Sequence, residues 1–122
     1  MSLTNRVRFV FVDFSSATDR WSWIGKQADE FHAINAIFYR QDLFTLIQSE
    51  TFWFNESRLK PGPAWGARHS CACTWAHLQA ISNKQSWIIF NVHLDYPSAN
   101  ARHHSIPVLL SEIEKNSEVN RV

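Results

Sequence analysis

The sequence predicts a mixed α/β (α+β) chain of two mostly antiparallel β-hairpins followed by a C-terminal helix. Three observations predict it. Short apolar runs recur in pairs around polar turns between residues 33 and 95, which is the layout of hairpins. From Ser98 onward the apolar spacing changes to three and four, with Ile106, Leu109, Leu110 and Ile113 on one helical stripe. Finally, 122 residues that are 45% hydrophobic and 14% aromatic suffice for one small core and exclude disorder as the default state.

The elements follow in order. Residues 7–14 (VRFVFVDF) read as a strand. Residues 33–40 and 43–48 read as two strands of a hairpin about the polar pair Gln41-Asp42, with 51–54 continuing the second. Residues 55–68 carry Pro61-Gly62-Pro63 and read as the longest irregular loop, because proline removes a backbone donor and keeps the residue before it out of the helical region. Residues 72–79 and 86–95 form a second predicted hairpin around Ser82-Asn83-Lys84.

Along 86–95 the period-two alternation puts Ile88, Phe90, Val92 and Leu94 on one face and Trp87, Ile89, Asn91, His93 and Asp95 on the other. The second face turns polar only at its carboxyl end, the pattern of a sheet with a site at that edge. After Pro97, Ser98 is placed as a helix N-cap. Pro107 either kinks one helix or sits in the first turn of a second helix capped by Ser105, and the second arrangement is the one expected. The polar residues 114–122 are expected to fray.

Composition excludes several function classes. Twelve basic against eleven acidic residues give a net charge of +1, so no bulk field holds a nucleic acid or an anionic membrane. A stacking module built on Trp21, Trp23, Phe52 and Trp53 lacks the basic stripe it would need. No apolar run reaches the length of a signal-peptide core or a membrane span, and Cys71 and Cys73 have no disulfide spacing, so a cytoplasmic chain without a membrane partner is expected. If 69–77 is extended, His69, Cys71, Cys73 and His77 share a face; yet alternate side chains on a strand sit about 7 Å apart, too far to close a zinc tetrahedron without a bulge.

The stretches IFYRQDLF (37–44), SETFWFNES (49–57), WGAR (65–68), CTWAHL (73–78) and FNVHLD with the following AR (90–102) stand in an order that resembles the endonuclease/exonuclease/phosphatase superfamily, bacterial branch. WSWIG at 21–25 extends the likeness upstream, so it covers about residues 21–115 of what is expected to be a single partial domain over 1–122. The resemblance implies about half of a two-sheet α/β sandwich, and a divalent-metal-dependent phosphoester hydrolase with Mg2+ or Mn2+ as cofactor. It implies that His93 contacts the scissile phosphate and assists the leaving oxygen, with Asn91 and Asp95 as supports. Tyr39, Arg68 and Arg102 are the candidate phosphate-binding residues.

An early Asn and Glu, a late Gly-Asp-x-Asn and an Asp-His pair, which hold metal and water in the family, are not found; Val12-Asp13-Phe14 echoes one of them at the wrong end of the chain. Cys71 and Tyr96 also replace an arginine and a histidine common in the family. The metal ligands are therefore unknown and the site is expected to be incomplete as this chain stands. The phosphoester substrate could be a nucleic acid or a small molecule. The alternative is a non-catalytic half-domain that self-associates or needs a complementary chain.

Overall fold

The computed structural model describes residues 20–28 and 34–119. The strand expected over 7–14 lies outside them. Five strands and a helix follow: β1 (Trp21–Ile24), β2 (Ile37–Arg40), β3 (Phe44–Trp53), β4 (Ala72–Ala80), β5 (Ser86–Val92) and α1 (Ala99–Val119). All strand pairs are antiparallel, in a two-stranded sheet β1-β2 and a three-stranded sheet ordered β3-β4-β5. No helix among the described residues is long and apolar enough to cross a membrane.

The β4-β5 hairpin forms as the alternation predicts, with Trp75 opposite Phe90 and Ala76 opposite Ile89. The first expected hairpin does not form. β2 pairs with β1, setting Ile24 opposite Ile37, and β3 pairs with β4 across the long loop. The physical reason lies in residues 41–43. The Gln41 amide donates to Arg20 O (2.8 Å) and so extends the small sheet, whereas Leu43 O accepts from the Ile81 amide (2.9 Å) and extends the large one. Three residues thus carry the chain from one sheet to the other, held by the Leu43 amide on Arg40 O and by the Arg40 guanidinium on Asp42.

The register shift between Leu46 and Gln48 marks a bulge at Ile47. Because one extra residue flips the side chains that follow, Leu46 opposite Leu78 and Thr51 opposite Thr74 face the small sheet, while Phe52 opposite Cys73 faces the helix. Layers follow from these faces. On one side Phe52, Phe54, Cys71, Cys73 and Trp75 pack with Val108 and Leu109 of α1, joined by Ile88, Phe90, Val92 and Leu94. On the other, Ala76 and Leu78 pack with Ile37, Ile24 and Tyr39.

The helix starts as expected, the Ser98 hydroxyl accepting from the Ala101 amide at 3.1 Å. It then runs unbroken through Pro107 to Val119, against the expectation of two segments; of the stretch expected to fray, 114–119 is helical and 120–122 lies outside the described residues. Ala101, Ser105, Val108 and Leu109 are buried along one stripe, so packing outweighs the backbone bond that proline removes. Ser105 is an interior residue, donating to Ala101 O at 2.6 Å, and not a cap. The 55–68 loop is irregular as expected but docked: buried Asn55 donates to Lys60 O and Gly62 O, and Trp65 stacks on His104 with 5.2 Å between ring centroids.

Both thiols lie on the helix side of the sheet. Burial, aided by the Glu112 charge, pushes the Cys73 thiol up to about 12; burial and then Asp95 push Cys71 up to about 11. A folded-state value above that of the unfolded thiol stabilises the protein below about pH 9, and this contribution is lost as pH rises toward the folded values. Both cysteines are expected to resist iodoacetamide at about pH 8 until the chain is denatured. The urea midpoint is expected to fall between about pH 9 and 11; rapid alkylation of folded protein at about pH 8 would refute the burial.

Candidate functional site

The polar end of β5 meets the small sheet through asparagines. Gly25, at φ +147°, lets the chain after β1 pass close to residues 34–36; a Cβ there would lie 2.6 Å from Ile34 Cγ2. Asn35 Nδ2 donates to Asn91 O (2.6 Å) and Ala72 O (3.0 Å), and Asn91 Nδ2 donates to Ala36 O (2.8 Å). The His93 amide also donates to Ala72 O, at 3.0 Å. This network joins the ends of β4 and β5 to the segment that precedes β2 and fixes the backbone from which the His93 ring projects.

That ring, exposed to solvent, lines a cleft of about 170 Å3 together with His69, Lys26, Asn35, Trp53 and Ile34. A second cleft, of about 210 Å3, shares Lys26 and is lined by Glu50, Thr51 and Thr74. Lys26 and Asn35 carry no motif and escaped sequence reasoning, because only the approach of the two sheets brings them to His93. His69 was legible only as one of a row of thiols and imidazoles over 69–77. Its neighbours Cys71 and Cys73 turn into the core instead.

The expected alternation stops where β5 stops, at Val92. Asp95 therefore does not share a face with His93. It is 6% exposed, and its carboxylate accepts from the Ser98 amide (2.7 Å) and the Arg68 amide (3.3 Å), holding the turn into α1. The Arg102 guanidinium donates to the carbonyls of Asp95 and Tyr96 in the same turn. Tyr39 packs at the edge of the small-sheet core, and Arg68 is exposed. The structure thus brings His93 and Asn91 together, and gathers Asp95, Arg68 and Arg102 around the helix start.

Asp95→Ala is expected to cost about 1–3 kcal/mol, because it strips the acceptor from partly buried amides. Asp95→Asn should cost less, since its amide oxygen still accepts. Urea denaturation checks both, and an Asp95→Ala protein as stable as the parent would show that the turn holds without the carboxylate.

No family model and no curated protein matches the chain at a significant level. Solved structures do. An endonuclease/exonuclease/phosphatase family protein from Bacteroides thetaiotaomicron superposes with a TM-score of 0.76 at 26% identity, covering 86% of this chain and 40% of that one. A mannosyl-6-phosphatase from Bacteroides thetaiotaomicron VPI-5482 gives 0.74 at 28% identity over 89% of this chain and 41% of that one. A third structure, an endonuclease/exonuclease/phosphatase protein from Bacteroides vulgatus, has the same fold, with a TM-score of 0.73 at 24% identity over 82% of this chain. The chain resembles this family over most of its own length and spans about two fifths of the length of the structures it matches.

Proposed function

We propose that the chain carries the phosphate-contacting wall of a phosphoester hydrolase. The observation that supports this best is the placement of His93, its backbone tied through Ala72 to the Asn35–Asn91 network and its exposed ring on a cleft that Lys26 and His69 also line. In the reaction, water adds to phosphorus as the P–O bond to the alcohol breaks, giving an alcohol and phosphate. An imidazole can donate to a phosphate oxygen and supply the proton that the leaving alkoxide takes up, and His93 has that role. Asn91 is a positioning residue, since its amide is engaged with Ala36 O. Asp95 and Arg102 act through the turn they hold, and Tyr39 from the edge of the small-sheet core. Arg68, exposed at the end of the 55–68 loop, meets that turn through its amide on the Asp95 carboxylate.

The resemblance implies Mg2+ or Mn2+, but the described residues do not fit such an ion. No group of three or more His, Cys, Asp or Glu among them is disposed to hold a metal, and the Asp95 oxygens are engaged with backbone amides. Carboxylates for a metal would come from outside the described residues or from a second chain, and no step here runs through it.

The test is hydrolysis of p-nitrophenyl phosphate and bis(p-nitrophenyl) phosphate by the purified chain, with Mg2+ or Mn2+ and with chelator. Slow turnover that needs the metal is expected. None from cooperatively folded protein would overturn the hydrolase reading for this chain.

A second reading, a non-catalytic domain that pairs with another copy or a complementary chain, is favoured by one feature. β5 is an edge strand of the described sheet, and it exposes Trp87 (51%) and Ile89 (42%). Concentration-dependent association without turnover would support it, and a monomer that binds no hydrophobic dye would sink it.

A further inference from the structure

We infer that Asn35 is a specificity residue of the His93 cleft: its amide oxygen Oδ1 accepts from a hydroxyl on the alcohol part of a phosphoester, so that esters of polyhydric alcohols bind ahead of esters of simple alcohols. The inference rests on the phosphate-contacting reading above and names the substrate class of that site.

The orientation of the amide is fixed by what its nitrogen touches. Asn35 Nδ2 donates to Asn91 O at 2.6 Å and to Ala72 O at 3.0 Å, which commits both of its hydrogens. Turned over, the group would set Oδ1 against two carbonyl oxygens, acceptor against acceptor, so the nitrogen must face the strand ends and the oxygen must face away. No hydrogen bond reaches that oxygen. The buried side-chain polar atoms without a partner among the described residues are Trp75 Nε1 and His77 Nε2, so Asn35 Oδ1 is open to solvent. Asn35 lines the cleft that the exposed His93 ring also lines, and Oδ1 is the part of its amide left to meet a ligand there.

The cleft thus carries a neutral acceptor held in one orientation beside an imidazole that can donate. The phosphate of an ester supplies acceptors only, which suit His93 and leave Oδ1 unused. A hydroxyl carried on the same alcohol supplies the missing donor. At about 170 Å3 the cleft is smaller than the roughly 300–1,000 Å3 of pockets that take drug-sized ligands, which favours a short alcohol whose hydroxyl lies close to its phosphate. Asn35 cannot swing aside to meet a ligand lacking that hydroxyl without giving up its bonds to both strand ends.

Glycerol 1-phosphate and propyl phosphate, which share a three-carbon chain and differ in its hydroxyls, test this without turnover. Binding to the metal-free protein at about pH 7 is followed through the His93 imidazole C–H and the Asn35 side-chain N–H resonances. The parent is expected to bind glycerol 1-phosphate about 5-fold more tightly, the usual worth of one neutral hydrogen bond. Asn35→Ala should erase the difference to within about 2-fold by weakening glycerol 1-phosphate alone. Its strand end is expected to hold, because Ala72 O keeps the His93 amide, and a thermal melt checks this.

Equal affinity of the parent for the two esters would overturn the inference, and that comparison decides even where the alanine variant does not fold. Equal weakening of both esters by Asn35→Ala would reduce Asn35 to a structural tie and overturn it too, as would a saturable shift of the Asn35 amide with Mg2+ alone. Binding of neither ester by folded protein would remove the phosphate reading together with the inference. Equal affinity with p-nitrophenyl phosphate still hydrolysed would remove the role of Asn35 and leave the hydrolase.

Discussion

His93→Ala is expected to reduce metal-dependent phosphoester turnover by about 10²-fold or more, the usual worth of a positioned proton donor, while shifting the melting temperature by no more than a few degrees. The two effects separate because the ring and the backbone of His93 do different work. The ring is exposed at the cleft, whereas the contribution to the fold comes from its amide on Ala72 O, which alanine retains. Asn91→Ala provides the contrast. It strips the donor from Ala36 O, so stability and turnover should fall together. Steady-state rates at saturating substrate, with thermal melts of the same preparations, decide the matter. A His93→Ala enzyme with the parent's kcat would remove the histidine from the chemistry.

Leu109→Ala is expected to cost about 2–5 kcal/mol, the range for removing a fully buried leucine side chain from a packed core. Leu109 is 2% exposed and packs in the cluster with Phe52, Cys73, Trp75 and Val108, where the helix meets the central sheet. Its neighbour Leu110 is 52% exposed, and Leu110→Ala should change stability by only about 0.5 kcal/mol. Since small domains hold about 5–15 kcal/mol in all, the first substitution removes a large share. Urea titrations followed by circular dichroism compare the pair. Equal losses would mean that the helix is rotated from the face described here.

Much of the candidate site was legible because it stands on a regular strand. Period-two alternation placed Ile88, Phe90 and Val92 in the core and His93 at an exposed end, and the structure agrees. Past Val92 the strand geometry ends, and with it the inference. Asp95 turned inward because the amides of Ser98 and Arg68 need an acceptor, a demand created by the turn and the loop together. Lys26, Asn35 and His69 lie far apart in the chain, and no spacing rule links segments that meet only through the contact of two sheets.

What the sequence by itself determined is local: the hairpin of β4 and β5, the irregular loop, the Ser98 cap, and the order of motifs that resembles a phosphoesterase family. Each rests on interactions between near neighbours or on alternation within one element. Tertiary structure alone decided that β2 joins β1 and not β3, that one helix passes through Pro107, and that Lys26 and His69 line one cleft with His93. These outcomes depend on which apolar faces find each other. Ile37 is buried against Ala76 and Leu78 where β2 joins β1, and the buried stripe of α1 outweighs one missing backbone bond.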